Sequence, residues 1–238
     1  MYRFRTLFAV GFCLMAQSAG SQQISREDLI YLTPAWEGER FPDGRPKVSD
    51  DILERMKLVT LEEAWSVLRG ERFNYQYEGD WQVFDDDAVL VGRAVTATFV
   101  PGRPDIHGQI DQRGRDDRRS GAQNTWPVDM LQPGDVYVAD QSFIEEDGPT
   151  VGDNLANAIL GNSGNGFVYN GPVRDTNGMK ELDDFAVFFK SYHPSHHNPA
   201  GRLNTTLVGI NRPTRIGAAT VMPGDVVLGR DGGVIFIP

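Results

Sequence analysis

The sequence predicts an α/β domain, and three observations carry that expectation. Stretches with helical apolar spacing alternate with short apolar strands. Two of those strands are entered through the same Pro-Gly-Asp turn, at 133–135 and at 223–225. Between them, residues 152–175 read as a helix start, a short helix, a glycine-rich turn and a buried strand that ends in Arg174 and Asp175. Of the 238 residues, 40% are apolar, including thirteen Phe and four Trp, which suffices for a packed core and excludes global disorder. The formal net charge of −10 argues against a general nucleic-acid binder, which needs a basic face to meet phosphates. It does not exclude small anions, because one arginine and a cation can reverse the sign locally.

The N-terminus has the organisation of a secretory signal. Arg3 and Arg5 precede an apolar run at 6–16 that is too short to span a bilayer. Small residues follow at Ser18, Ala19 and Gly20, placing cleavage near Gly20 and Ser21. The expectation is a secreted or periplasmic chain with no membrane attachment after cleavage. Cys13, the only cysteine, falls inside 1–20, so the rest of the chain offers no disulfide or thiolate metal site.

Pro34, Pro42, Gly44 and Pro46 predict that 21–48 is an extended arm, anchored by Trp36 and Phe41 over the domain or a neighbouring subunit. Helices are expected at 50–57 and 60–68, with Ser49 and Thr60 as N-caps and Thr60 with Glu63 as a capping box. Their apolar face comprises Ile52, Met56, Leu61, Ala64, Trp65 and Leu68, with Trp65 packed in the core. Asp85, Asp86 and Asp87 read as a solvated charge run before a strand at 88–100. The stretch 101–125, crowded with Arg, Asp, Gly and Pro, reads as a long surface loop, either a lid or an insertion. Further strands are expected at 136–139, 185–189, 205–210, 215–221, 226–228 and 234–237, with a short helix at 179–183. His193, His196 and His197 sit between prolines in a loop, which favours a pocket-edge or plain loop role over a metal site.

The centre of the chain carries the chemistry. The amides of Gly152, Asp153, Asn154 and Leu155 open a helix, where free N–H groups and the dipole favour an anion. Arg174 is a permanently charged planar fork suited to carboxylates and oxyanions. Asp175 is a hard oxygen ligand suited to Mg²⁺. The residues describe a pocket for a small metal-bound acid; the competing reading is a βα turn with surface charges. The glycines at 161–166 lack the Rossmann order, so the nucleotide fingerprint of a methyltransferase is absent.

Taken together, Pro133-Gly134-Asp135-Val136, Gly152-Asp153-Asn154-Leu155-Ala156, Val168 through Asp175, Pro223-Gly224-Asp225-Val226 and Gly233 through Pro238 resemble, in order, the motifs of the RraA-like family. That family includes 4-hydroxy-4-methyl-2-oxoglutarate aldolases and the regulator of ribonuclease E activity, and is sometimes labelled demethylmenaquinone methyltransferase. The resemblance covers about 49–238. It implies a swivelling ββα-type domain with short strands and flanking helices, assembled as a homotrimer or hexamer with sites between subunits. It implies a divalent cation, Mg²⁺ or Mn²⁺, at Asp175, substrate binding by Arg174 and the 152–155 amides, and a catalytic water held by Asp153 with Arg174. The implied reaction is retro-aldol cleavage of a 4-hydroxy-2-oxo acid to pyruvate, with oxaloacetate decarboxylation as a side activity; the alternative within the family is a non-catalytic binding protein. In the resembled aldolases a C-terminal helix supplies an acidic residue to the neighbouring subunit. The sequence given ends at Pro238, so that role passes in expectation to an acid of 101–125 or of the arm, or to His193, His196 or His197. Arg230 also stands where the family commonly has Asp.

Overall fold

The computed structural model describes residues 22–142, 148–198 and 202–238; the signal read at 1–20 lies outside them. The elements in chain order are α1 (Arg26–Leu32), α2 (Asp50–Met56), α3 (Leu61–Gly70), β1 (Tyr77–Glu78), β2 (Leu90–Pro101), α4 (Pro104–Asp116), a 3-10 turn (Val128–Met130), β3 (Asp135–Asp140), α5 (Asp153–Ser163), β4 (Phe167–Val173), α6 (Thr176–Met179), β5 (Val187–Tyr192), β6 (Thr205–Ile210), β7 (Thr214–Ile216), β8 (Ala219–Val221), β9 (Val226–Arg230) and β10 (Gly233–Ile237). The fold is α/β, with one large mixed sheet in the order β1-β10-β9-β2-β3-β4-β5 and a separate β7–β8 hairpin. Strands β2, β3, β4 and β5 run parallel. The long β2 is the hinge of the sheet. Its first half pairs antiparallel with β9 and its second half with β6, across a register shift between Thr98 and Phe99.

The sheet is covered on both faces, which explains the mixed alternation of its strands. Val95, Ala97, Phe99, Tyr137, Phe167 and Tyr169 enter one core with Leu155 and Ile159 of α5 and Ile110 of α4. Ala94, Val136, Val138, Val168 and Phe188 face the other core with Ile216 and Val221 of the hairpin. A third cluster seats α2 and α3 through Leu53, Leu61, Ala64 and Leu68 on Val91, Leu228 and Ile235. The Thr60–Glu63 capping box forms on both sides, as its spacing requires. Among the described residues no helix is long and apolar enough to cross a membrane.

Three expectations are corrected. The stretch 101–125 is not wholly a loop, since 104–116 form α4: Pro104 occupies its first turn, where its missing N–H costs nothing, and Ile110 and Gly114 form the buried stripe, while 117–125 are turns and irregular chain. The dense charges are its solvent face, as in the Gln112–Asp116 bond at 3.0 Å. The arm is not wholly extended, since Ser25 caps α1 and only Leu29 of that helix is buried; residues 22–24 lie along Ile210, with Ile210 N–H donating to Gln22 O at 2.8 Å. Trp65 is 48% exposed rather than core. The buried stripe of α3 runs through Leu61, Ala64 and Leu68, and Trp65 sits one step off it with the Arg69 guanidinium over its ring at 5.2 Å.

The two Pro-Gly-Asp turns share a backbone but not an electrostatic environment. Gly134 and Gly224 both have positive φ, 81° and 96°, and both aspartates accept an N–H three residues back, Gln132 at 2.9 Å and Met222 at 2.8 Å. Asp135 is fully buried between two buried arginines. Arg45 donates to it at 3.0 Å and Arg93 at 3.3 Å. Arg93 also reaches the carbonyls of Val48 and Pro133 and the Asp50 carboxylate. Burial still pushes the Asp135 carboxyl up, against the pull of the two arginines. Among the described residues Asp225 has no such cation, and burial pushes it to about 7, opposed only by the Met222 amide.

Two outcomes follow from these environments. Asp135→Leu leaves two buried arginines facing each other and costs about 3–5 kcal/mol in urea unfolding; a loss under about 1 kcal/mol contradicts the network's role. Asp225 is protonated more readily folded than unfolded, so its contribution to stability is present below pH 4 and is lost as pH rises through 7. The stability advantage of Asp225→Asn over the native chain therefore grows by about 2.5 kcal/mol between pH 5 and pH 8. A pH-independent difference contradicts the assignment.

Candidate functional site

The site is assembled where β4 ends. Val151 bridges Val173 in parallel, and the Arg174 amide donates to the Val151 carbonyl at 3.1 Å. This short annex of the sheet lays the start of α5 against the exit of β4. Gly152 is the N-cap of α5 in an extended conformation, with no side chain capping the helix. A Cβ built there would lie 2.8 Å from Asp175 Oδ2 and 2.9 Å from Arg174 Nε. The absent side chain is what lets the guanidinium and carboxylate approach the helix start. Asp175 itself is left-handed (φ 56°, ψ 38°) and caps α6. Such backbone is tolerated by Asp more readily than by most residues, and it concentrates at functional sites.

Arg174 and Asp175 form an ion pair, Nη1 to Oδ2 3.2 Å, with about a third of each side chain exposed (30% and 40%). Asp153 is the first residue of α5. Its carboxylate takes the Asn154 amide at 2.6 Å and packs beside Gly178 of α6, where an added Cβ would meet Oδ2 at 3.1 Å. The amides of Asp153 and Leu155 have no partner among the described residues and leave donors for an anion.

A cavity of about 420 Å³ opens against this corner, lined by Gly152, Asn154, Leu155, Arg174, Thr150, Asn124 and His197 among others. Four of the residues expected at the site, Gly152, Asn154, Leu155 and Arg174, therefore share one cavity wall. Asp175 adjoins Gly152 and Arg174 without lining the cavity, and Asp153 flanks it toward α6. Every lining segment follows the carboxyl end of one of the parallel strands, β2, β3, β4 or β5, where α/β sheets bind ligands. A larger cavity of about 1030 Å³, between α2 and residues 179–186, holds none of the expected site residues.

Asn124 and Thr150 escaped the sequence reading, and Tyr169, inside the 168–175 motif, was given no role there. Asn124 is 9% exposed and donates through Nδ2 to the Thr150 carbonyl at 3.0 Å. Its Oδ1 has no partner among the described residues. Thr150 is held by the Tyr169 hydroxyl, at 3.1 Å from its amide and 2.7 Å from its Oγ1. Tyr169 in turn contacts the Gln141 amide oxygen, and Gln141 donates to the Gly148 carbonyl at 2.6 Å. Burial pushes the Tyr169 phenol up, so it stays a neutral donor. Nothing in one sequence marks this chain of contacts, because it joins residues 124, 141, 150 and 169 only through the fold. Of the three loop histidines, His197 reaches the cavity, while the His193 ring accepts the Ser195 amide at 3.2 Å.

The donor set suits a hard cation. Among the described residues no three His, Cys, Asp or Glu come together, but Mg²⁺ keeps most of its waters and takes one or two carboxylates plus substrate oxygens. Asp175 offers a partly exposed carboxylate beside the Arg174 guanidinium and the start of α5, which fits that habit.

Gly152→Ala keeps an allowed backbone, φ −131° and ψ −175°, while its Cβ displaces the Arg174–Asp175 pair. Binding of oxalate, used as a small-anion probe of this corner and followed by calorimetry, is expected to weaken about tenfold or more, the equivalent of one good hydrogen bond to a charged group, with little change in Tm. Native-like affinity contradicts the assignment of this corner.

Comparison with known proteins agrees with this architecture. The family model RraA-like (Aldolase/RraA) matches residues 47–236. The Streptomyces coelicolor protein RraAS2, described as an unusual member of the RNase ES inhibitor RraA protein family, superposes with a TM-score of 0.66 at 21% identity over 81% of this chain and 87% of that one. A structure described under novel cellulases from microbes of the gut ecosystem gives 0.67 at 21% identity over 90% and 87%. A Pseudomonas syringae pv. tomato protein gives 0.58 at 18% over 80% of each chain. At such identities these structures share the fold alone. The family model spans most of the chain, including the 152–175 segment, and the protein belongs to the RraA-like family.

Proposed function

We propose that this protein is a divalent-metal-dependent lyase that cleaves a 4-hydroxy-2-oxo acid, such as 4-hydroxy-4-methyl-2-oxoglutarate, to pyruvate. The observation that carries this reading is the convergence of Arg174 and Asp175 on the side-chain-free Gly152, at the start of α5 and the edge of a cavity. Arg174 would bind the substrate carboxylate or steady a developing oxyanion. The free amides of Asp153 and Leu155 would take a second anionic oxygen, helped by the helix dipole. Mg²⁺ or Mn²⁺ held by Asp175 would supply Lewis-acid polarisation of the 2-oxo group. Asp153, beside α6, would hold the water that returns a proton to the product carbon. Oxaloacetate decarboxylation makes the same demands on these residues and is part of the proposal. So are a homotrimeric or hexameric assembly and export by the N-terminal signal.

A non-catalytic binding role is the second reading. The ion pair between Arg174 and Asp175 favours it, since each charge is already answered by the other. A net charge of −10 makes a nucleic acid the less suitable partner for such a role.

The test is pyruvate release from 4-hydroxy-4-methyl-2-oxoglutarate and from oxaloacetate, with Mg²⁺ and with EDTA, for the native chain and Asp175→Ala. The expected result is Mg²⁺-dependent release, abolished by EDTA and reduced on the order of 100-fold or more in the variant. Unchanged turnover in the variant removes the metal role. No turnover of either substrate by the native chain favours the binding reading.

A further inference from the structure

The cavity beside Arg174 contains a proton acceptor that the motif residues do not supply. His197, in the loop after β5, lines that cavity together with Gly152, Asn154 and Arg174. It also lines an adjoining cavity of about 400 Å³ under α4, whose walls include His107, Asp111, Arg115 and Arg119. The ring thus stands at the junction of the two spaces. The other ionisable side chains lining the first cavity are Arg174, which carries a permanent charge, and Asp129, which is exposed to solvent at its rim. His197 is partly buried. Its burial, and then the proximity of His196, Arg174 and His107, push it down to about 4. The imidazole is neutral at physiological pH, with a lone pair available on one ring nitrogen.

We propose that His197 is the general base of the site, accepting the hydroxyl proton of the 4-hydroxy-2-oxo acid bound at Arg174. The proposal rests on the lyase reading above and adds the residue that distinguishes a hydroxy acid from other 2-oxo acids. The bookkeeping of the step is closed. The imidazole takes the C4 hydroxyl proton, the C4–O bond becomes a carbonyl, and the C3–C4 bond breaks. The bonding pair passes to C3 and delocalises into the 2-oxo group. A proton added at C3 completes pyruvate, and the imidazolium then gives up its proton, so no oxidant, reductant or co-reactant is consumed. The Arg174 charge disfavours the imidazolium, which speeds its release but opposes its formation until the substrate carboxylate bound at Arg174 offsets that charge. Oxaloacetate loses carbon dioxide without a hydroxyl to deprotonate, and makes no such demand on His197.

The substrate pair therefore isolates the residue. In His197→Gln, cleavage of 4-hydroxy-4-methyl-2-oxoglutarate is expected to fall about 100-fold or more, as for loss of a general base, while oxaloacetate decarboxylation falls by less than about tenfold. In His197→Ala, added imidazole is expected to restore part of the lost cleavage rate, which a merely structural role would not allow. Equal losses on the two substrates, or no loss on either, overturn the assignment of His197 while leaving the lyase standing. Absence of rescue together with equal losses assigns the residue to packing and likewise overturns it. A native chain inactive on both substrates overturns the lyase reading and this proposal with it.

Discussion

The buried Asp135 carboxylate, clamped between Arg45 and Arg93, is the constraint around which the sheet is set. It joins four parts of the chain that are distant in sequence: the arm through Arg45, the start of α2 through Asp50, the first third of β2 through Arg93, and the first residue of β3. Three side chains with almost no solvent exposure hold their charges only because each is answered by another or by a carbonyl. The ring of Phe41 covers the guanidinium of Arg45 at 4.5 Å. A buried network of this kind is a weaker source of net stability than of registration, because the desolvation it incurs offsets much of its attraction. Here it pins the amino end of β3 to the amino-terminal third of β2 and so fixes the start of the parallel ladder from which the candidate site is built.

With the amino end pinned, the carboxyl ends of the parallel strands are free to carry chemistry. The cavity draws on the segments after β2, β3, β4 and β5, and none of its residues belongs to the Asp135 network. The two ends of the sheet differ in kind: one registers strands, the other carries the candidate site. Asp225, the sequence twin of Asp135, shows what the turn does without arginines. Its carboxyl takes the same backbone amide three residues back and is left partly protonated near neutral pH.

Much of this architecture was legible in one sequence. The α/β class, both Pro-Gly-Asp turns, the capping box and the helix–turn–strand of 152–175 could be read because each depends on local spacing or on a residue type with a single conformational use. The errors share a cause in tertiary packing. Residues 104–116 look like a loop because helix formation there depends on Ile110 and Trp126 packing in the core, not on propensity. Trp65 looks like core because bulk suggests burial, yet the α3 stripe passes it by. At the site, Gly152, Arg174 and Asp175 were legible as chemistry, but their convergence depends on the Val151–Val173 bridge. Asn124 and Thr150 were not legible at all, since polar residues in a turn have many uses until a fold selects one.

The proposed lyase activity requires Gly152, Arg174 and Asp175 to form one corner that binds an anion and a cation together. Calorimetric titration of oxalate, a planar mimic of a 2-oxo acid carboxylate with its neighbouring oxygen, into the native protein tests it most directly. The predicted result is affinity at least about tenfold higher with Mg²⁺ than with EDTA, a coupling of about 1.4 kcal/mol or more. Equal affinity under the two conditions would contradict a shared site and leave the ion pair of Arg174 and Asp175 as a structural feature of the β4 exit.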